Sequence, residues 1–152
     1  MSRNILIVDD DPIIRFLLKT HLTARGYTCT DVSDGASALS VLDLGQTQIL
    51  VTDLEMPGIS GLELLAAVRT RGLITRCVVV TGYATIANMT ACLRAGAVAL
   101  VPKPLTDLAP LDQAVDEAFA QMQRWTMQMK AIIRLRSPSS GHVPVTKALA
   151  PP

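Results

Sequence analysis

The stretch ILVTDLEMPGISG, residues 49–61, joins a short apolar run to an acid and a turn. Its run Ile49–Val51 is short and rich in β-branched residues, which is typical of a strand buried on both faces of a parallel sheet. Asp53 follows, and an apolar stripe at helical spacing then extends over Leu62–Gly72. The stretch predicts one strand, loop and helix, with an acid where the strand ends.

The same pattern of strand and helix recurs along the chain. Three further apolar runs predict strands buried on both faces, at Ile5–Val8, Val78–Val80 and Val98–Val101, whereas Thr28–Val32 alternates and suits an edge strand. Between the strands lie apolar stripes at helical spacing: Ile13, Ile14, Leu17, Leu18 and Leu22; Ala38, Leu39 and Leu42; Ile86, Met89 and Leu93. Strands that alternate with helices predict an α/β fold with five parallel strands and five helices.

Turn residues mark the ends of these helices. Asp11 followed by Pro12 predicts an acidic cap and a proline at the first helical position. Glycines close the successive helices, at Gly26, Gly45, Gly72 and Gly96.

Composition limits the classes of partner. The 152 residues are 49% hydrophobic, enough for one compact domain and an appendage, and 14 basic against 13 acidic residues give a formal charge of +1. This balance predicts neither a nucleic-acid surface nor an acidic disordered tail.

The N-terminus and the cysteines indicate a cytoplasmic protein. Acids follow Ile5–Val8 too soon for a secretory signal, and no apolar run is long enough to span a bilayer. Cys29, Cys77 and Cys92 are odd in number and lack a C-x-x-C spacing, which predicts reduced core thiols. We expect no membrane association.

Four apolar runs end in polar groups suited to phosphoryl chemistry: Asp9 and Asp10, then Asp53, then Thr81, then Lys103. The carboxyl ends of parallel strands share one crevice, so these groups should meet there. Carboxylates about 4 Å apart repel by roughly 4 kcal/mol per pair at an effective dielectric of about 20, which calls for a cation. Mg²⁺ suits such a site, because it prefers a few carboxylates, waters and phosphate oxygens. One carboxylate can then attack a phosphoryl group, while Thr81 and Lys103 bind the transferring oxygens.

These residues together resemble the receiver domain of two-component response regulators, over roughly residues 4 to 120. The resemblance rests on the runs IVDDD (7–11), DLEMPGISG (53–61), VTG (80–82), Gly96-Ala97 and Lys103-Pro104. It implies a flavodoxin-like doubly wound sheet with strand order 2-1-3-4-5 and a phosphoacceptor that switches protein contacts, not a true enzyme.

The resemblance also implies a role for each residue of the site. Asp53 is the phosphoacceptor and, with Asp10, binds Mg²⁺ (or Mn²⁺) through its carboxylate. The backbone carbonyl of Glu55 completes the protein ligands, and Asp9 acts mainly through a bound water. Lys103 pairs with the acids and then with the phosphate, and the bond from Lys103 to Pro104 matches the family's cis peptide.

Switching in the family implies movement of the Thr81 hydroxyl toward the phosphate, followed by an aromatic ring that turns inward. That ring usually lies three residues before the lysine, where this chain has Leu100. The usual rotamer switch is therefore absent. Tyr83 and Glu55 flank the site and can regulate the access of water, and Tyr83 is the candidate replacement for the ring.

A heptad seam extends the last helix, which Pro110 should start. The seam steps by four and three residues through Leu111, Val115, Ala118, Met122, Trp125, Met129 and Ile132. We expect residues 1–120 to form the receiver and residues 121–136 to extend its helix as a dimerisation segment, with Met122, Trp125, Met129 and Ile132 at a homodimer interface. Residues 137–152 are rich in proline and serine and should be a disordered tail.

Partners follow from the same resemblance. The phosphodonor should be a sensor histidine kinase or a histidine phosphotransfer protein. Residues 121–152 are too few for a helix-turn-helix domain, so we expect no direct contact with nucleic acid. His21 should be a surface residue or one that faces the kinase, not a second transfer site.

Two other functions fit part of this pattern. A haloacid-dehalogenase-type phosphatase also uses an aspartyl phosphate, and Asp9 and Asp11 resemble its nucleophile pair, but Asp53 would then have no purpose. A flavin-binding electron carrier shares the fold, yet three aspartates after the first strand would repel the flavin phosphate.

Overall fold

The structure, a computed structural model of the chain, describes residues 2–136. Within them five strands alternate with five helices: β1 Asn4–Val8, α1 Pro12–Ala24, β2 Thr28–Val32, α2 Gly35–Leu42, β3 Ile49–Thr52, α3 Gly61–Thr70, β4 Arg76–Thr81, α4 Ile86–Arg94, β5 Ala97–Pro102 and α5 Ala109–Leu135. The predicted α/β alternation is confirmed. The tail predicted over 137–152 lies outside the described residues. No helix of the described part combines the length and apolar character needed to cross a bilayer.

The strands form one parallel sheet in the order β2-β1-β3-β4-β5, which confirms the predicted flavodoxin-like order. β1 and β3 are central neighbours whose last residues, Val8 and Thr52, are paired in register. The residues that follow these two strands are therefore brought side by side.

Two apolar layers cover the faces of the sheet. β1 alternates between them, because successive side chains of a strand point to opposite faces: Ile5 and Ile7 enter one layer, Leu6 and Val8 the other. The first layer includes residues of α1 and α5, and the second includes residues of α2, α3 and α4. Burial of each such side chain stabilises the fold by about 1.5–3 kcal/mol.

The predicted boundaries of the first four helices are confirmed, whereas α5 begins at Ala109, one residue before the predicted start at Pro110, because proline is tolerated in the first turn of a helix. The Asp11 carboxylate accepts a hydrogen bond of 2.8 Å from the backbone N–H of Ile13, and Pro12 is the first residue of α1. Gly26 follows that helix with φ +91°, a left-handed conformation that glycine adopts without a Cβ clash. Gly45, Gly72 and Gly96 take positive φ after the next three helices.

The apolar stripe of α4 faces away from the core. Ile86 and Leu93 are 87% and 58% exposed, and Met89 is 47% exposed. The inward face consists instead of small or polar residues at helical spacing, Asn88, Ala91, Cys92 and Ala95. Small side chains let a helix approach a sheet closely, and this turns the larger apolar residues outward. Ile13 of α1 is likewise exposed, at 75%.

β5 differs from the prediction of a strand buried on both faces. It lies at the edge of the sheet, and Val98, Ala99 and Leu100 are only partly buried. An edge strand has a neighbour on one side alone, so its side chains are less completely covered.

The first half of the predicted heptad seam belongs to the core. Leu111, Val115 and Ala118 are fully buried in the first layer, and Met122 is only 5% exposed. Met122 is therefore not an exposed member of a dimerisation seam. By its contacts the chain divides into a unit ending at Met122 and a second unit that begins at Gln123. In the second unit Trp125, Met129 and Ile132 are exposed.

Candidate functional site

Three carboxylates meet at the carboxyl ends of β1 and β3. Asp9 and Asp10 follow β1, Asp53 follows β3, and the Asp53 N–H donates to the carbonyl of Val8 at 3.0 Å. One carboxylate oxygen of each acid lies within 4.8 Å of those of the other two. The predicted acid cluster is thus brought together by the register of two neighbouring strands.

Lys103 supplies the positive charge of this cluster. It follows β5, and its Nζ lies 2.8 Å from Asp9 Oδ2 and 3.0 Å from Asp53 Oδ2. Its peptide bond to Pro104 is cis, as the resemblance implied. The Lys103 N–H donates to the carbonyl of Thr81 at 2.9 Å, which ties the end of β5 to the end of β4.

Burial and hydrogen bonding shift the pKa values of Asp9 and Lys103. Desolvation raises the pKa of Asp9, although its hydrogen bonds from Lys103 and from the N–H of Asp11 act in the opposite direction. Burial on its own would lower the pKa of Lys103, but its contacts with Asp9 and Asp53 outweigh burial and raise that pKa. The lysine is therefore held as an ammonium between two acids.

Asp53 is held in one orientation. Its Oδ1 accepts a 2.7 Å hydrogen bond from the N–H of Leu54, and its Oδ2 faces Lys103. Behind it, the first residue of α3 lies against its main chain: a Cβ at Gly61 would come 2.1 Å from the carbonyl oxygen of Asp53. The second glycine of the sequence stretch is required by this close approach.

The acids open into a cleft of about 800 Å³. Its wall includes Asp10 and Lys103, as predicted, and also Glu55 and Tyr83. Asn88, from the inward face of α4, lines the same cleft and was missed by the sequence analysis. The spacing of Asn88 from Ala91, Cys92 and Ala95 was the available signal, since it places the asparagine on the buried stripe.

Thr81 and Leu100 do not line the cleft with the acids. Thr81 is fully buried at the end of β4, does not form part of the cleft wall, and its hydroxyl accepts a 3.1 Å hydrogen bond from the N–H of Tyr83. Leu100 is half-buried and packs against the second apolar layer. The position where the family has an aromatic ring thus serves the core here.

His21 lies outside the cleft and has a partner. Its Nε2 is 2.7 Å from Asp112 Oδ1, and Arg25 contacts the other oxygen of that carboxylate at 3.1 Å. Arg25 also contacts Asp116, whose carboxylate accepts a hydrogen bond from the Tyr27 hydroxyl. This histidine therefore ties α1 to the first half of α5.

The cluster suits a small, hard divalent cation. Carboxylate oxygens are the ligands that Mg²⁺ and Mn²⁺ prefer, and these three acids face a cleft wide enough for waters and a phosphoryl group. One lysine offsets only part of their charge.

Comparison with known proteins agrees with this geometry. A family model for the response regulator receiver domain matches residues 5–116. The DNA-binding transcriptional regulator NtrC of Escherichia coli (strain K12) is 32% identical over 125 residues, which cover 82% of this chain and 25% of NtrC. The sensor histidine kinase RcsC of Salmonella typhimurium (strain LT2) is 38% identical over 102 residues, 67% of this chain and 11% of RcsC. The chain spans about a quarter of NtrC and about a ninth of RcsC.

Solved structures show the same fold. The response regulator TrrA from Thermotoga maritima, in complex with Mg²⁺ and BeF, has a TM-score of 0.69 at 31% identity, covering 78% of this chain and 99% of TrrA. The signal receiver domain of a protein described as a LuxO repressor from Vibrio parahaemolyticus has a TM-score of 0.79 at 19% identity, covering 84% and 97%. Because the matched region takes in nearly all of the sheet and the whole cleft, the chain belongs to the response regulator receiver domain family.

Proposed function

We propose that Asp53 accepts a phosphoryl group in a reaction that depends on a divalent cation, and that the resulting charge switches contacts with other proteins. The observation that carries this proposal is the contact of the Lys103 ammonium with both Asp9 and Asp53 at the floor of an acidic cleft. The proposed donor is a phosphohistidine of a sensor histidine kinase or a histidine phosphotransfer protein.

The transfer itself is a substitution at phosphorus. A carboxylate oxygen of Asp53 forms a bond to the phosphorus as the bond from phosphorus to the donor's imidazole nitrogen breaks, and the imidazole leaves with the electron pair. Lys103 and the Thr81 hydroxyl then stabilise the phosphoryl oxygens. The acyl phosphate carries a charge of about −1.5 to −2 where the carboxylate carried −1, and this difference supplies the electrostatic change for a switch.

Asp10, Asp53 and the backbone carbonyl of Glu55 are the proposed ligands of Mg²⁺ (or Mn²⁺), with Asp9 acting through a water. The bound ion would offset the mutual repulsion of the acids and of the incoming phosphoryl group. The structure of TrrA, a related response regulator, in complex with Mg²⁺ and BeF supports the choice of Mg²⁺ as the ion.

The chain is proposed as an acceptor with at most weak self-phosphorylation and autodephosphorylation, not as an enzyme. The haloacid dehalogenase alternative needs Asp9 and Asp11 as its reactive pair. The Asp11 carboxylate caps α1, and Asp9 is only 1% exposed, against 8% for Asp53. Asp53 is therefore the more accessible of the two acids that contact Lys103, which favours it as the reactive acid.

Intact mass measurement tests the proposal. Incubation with Mg²⁺ and acetyl phosphate should add the mass of one phosphoryl group to the wild-type protein. Asp53→Asn and a wild-type sample with EDTA should both lack the addition, while Asp43→Asn, which changes an exposed acid outside the cleft, should retain it. A phosphorylated Asp53→Asn protein would contradict the proposal.

A homodimer through the second unit is also proposed. Trp125, Met129 and Ile132 recur at heptad spacing on α5, and all three are more than half exposed. An apolar stripe of this kind is stabilised when a second copy covers it. The proposed organisation is a receiver over residues 1–120 and a dimerisation segment over 121–136.

We place these reactions in the cytoplasm. Cys29, Cys77 and Cys92 are all free thiols, which suits a reducing compartment. The proposed output is protein contact, without direct binding of nucleic acid or of a membrane.

A further inference from the structure

The loop between β4 and α4 forms one wall of the phosphoryl cleft. Residues 82–85 of this loop are exposed, and Tyr83, which is 56% exposed, lines the cleft with Asn88. An exposed loop keeps a side chain at the mouth of a cleft only if its backbone is anchored.

The Tyr83 backbone is anchored at both ends. Its N–H donates to the Thr81 hydroxyl at 3.1 Å, and its carbonyl accepts from the Asn88 side-chain amide at 2.7 Å. The carbonyl also accepts from the N–H of Thr85 at 2.9 Å. Thr85 caps α4 by accepting from the N–H of Asn88, so the loop and the first turn of the helix are held as one unit.

Asn88 is well placed to be the anchor. It is half-buried on the inward face of α4, and within residues 2–136 its amide is the one side-chain donor that reaches the backbone of this loop from a helix. Phosphorylation should draw the Thr81 hydroxyl away from the N–H of Tyr83. The two bonds to the Tyr83 carbonyl, from the N–H of Thr85 and from Asn88, would then persist, and the Asn88 bond is the one made by a side chain of α4.

We propose that Asn88 is a positioning residue for the phosphoryl site. Asn88 holds the backbone carbonyl of Tyr83 and so keeps the Tyr83 side chain at the mouth of the cleft. There the tyrosine limits the access of water to the acyl phosphate on Asp53. This inference rests on the proposed function, and it assigns control of the phosphate lifetime to a residue on α4.

The lifetime of the phosphorylated protein tests this role. Protein phosphorylated with acetyl phosphate and Mg²⁺ is freed of the donor, and loss of the added mass is followed over time. Asn88→Ala should shorten the lifetime by about fivefold, the factor that corresponds to one ordinary hydrogen bond. Asn88→Asp should shorten it similarly, because a carboxylate of the same shape has no donor. Thr90→Ala, which removes a hydroxyl bonded within α4, should leave it unchanged.

A double variant separates positioning from a general structural effect. Tyr83→Ala should also shorten the lifetime, and Asn88→Ala should add nothing in that background, because the asparagine acts through the tyrosine. Multiplied effects of the two changes, or a wild-type lifetime for both Asn88 variants, would overturn the inference.

Hydrogen exchange of the unphosphorylated protein tests independently whether Asn88 anchors the loop. The amides of residues 83–85 should exchange faster in Asn88→Ala than in the wild type and in Thr90→Ala, and unchanged exchange would overturn the inference. If the wild-type protein gained no phosphoryl mass, the proposed function would fall, while this exchange measurement would still test the anchor.

Discussion

At the scale of single residues, the site is a balance of charge. Asp9 is 1% exposed and Asp53 is 8% exposed, and the Lys103 ammonium contacts both carboxylates. With Asp10 close by, the cluster keeps an excess of negative charge that burial makes costly. A cation that binds only the folded state should therefore stabilise it.

Thermal unfolding with and without Mg²⁺ tests this charge balance. At about 100 times the dissociation constant, the ion should raise the free energy of unfolding of the wild-type protein by about 2.7 kcal/mol. Asp10→Asn should lose most of this gain, and without Mg²⁺ it should be more stable than the wild type, because one repelling charge is removed. Asp43→Asn, at an exposed pair with Arg71, should respond to Mg²⁺ like the wild type. An equal response of Asp10→Asn would count against Asp10 as a ligand.

Cys77 gives a prediction about pH. Burial raises the pKa of its thiol from 9.0 to about 12, so the folded protein keeps a proton that the unfolded chain loses near its ordinary pKa. The unfolded state then binds fewer protons, and stability must fall as pH rises through that interval. Between pH 8 and 10 the ionisation of this thiol in the unfolded chain should lower the free energy of unfolding by about 1.4 kcal/mol.

Denaturant unfolding of the wild type and of Cys77→Ala at pH 8 and at pH 10 measures this loss of stability. The variant loses a buried atom at every pH, but the wild type should lose more stability on going to pH 10. A gap between the two proteins that stays the same at both pH values would show that Cys77 ionises normally in the folded state.

At the scale of elements, the junction of β3 and α3 positions the proposed phosphoacceptor. Gly61, the first residue of α3, lies so close to Asp53 that a Cβ would overlap the Asp53 carbonyl oxygen. The helix can approach the strand only because this position has no side chain.

Gly61→Ala should destabilise the protein by about 2 kcal/mol or more, because neither backbone can yield without moving Asp53 or α3. It should also slow phosphorylation by acetyl phosphate. Gly58→Ala is the matched control: its φ of +81° makes alanine strained, but no atom lies within 4 Å of the added Cβ. That change should cost about 1 kcal/mol and leave the rate close to wild type. Equal effects of the two changes on phosphorylation would contradict a positioning role for Gly61.

The elements and the floor of the site were predictable because they depend on local patterns. The strands ending before Asp9 and Asp53, the cap at Asp11 and the glycines that close the helices follow from spacing and turn chemistry. The inward face of α4 was not predictable in this way. Its buried residues are small, so the hydrophobic pattern favoured the outer face with Ile86 and Leu93 over the weaker stripe of small residues that includes the position of Asn88.

At the scale of the whole molecule, the core and the proposed dimer compete for the residues of one helix. The core uses the first half of the heptad seam, and about two heptads remain for a second copy. Isolated helices of that length are marginal in water, so the dimer should be weak.

Light scattering over a range of concentrations measures the dimer. The full chain should approach twice the monomer mass at high concentration, while Trp125→Ala and a chain truncated after Met122 should stay monomeric. The truncation keeps Met122 because that side chain is buried. Arg124→Ala, off the apolar stripe, should dimerise like the full chain. A monomeric mass for every sample at every concentration would contradict the proposed dimer.

The chemistry at position 53 is tested most directly by locating the acyl phosphate. Reduction with borohydride converts a phosphorylated aspartate to homoserine, and peptide mass spectrometry then identifies the altered residue. After phosphorylation with Mg²⁺ and acetyl phosphate, we expect homoserine at position 53 alone. Homoserine at Asp9, Asp10 or Asp11, with Asp53 unaltered, would contradict the account.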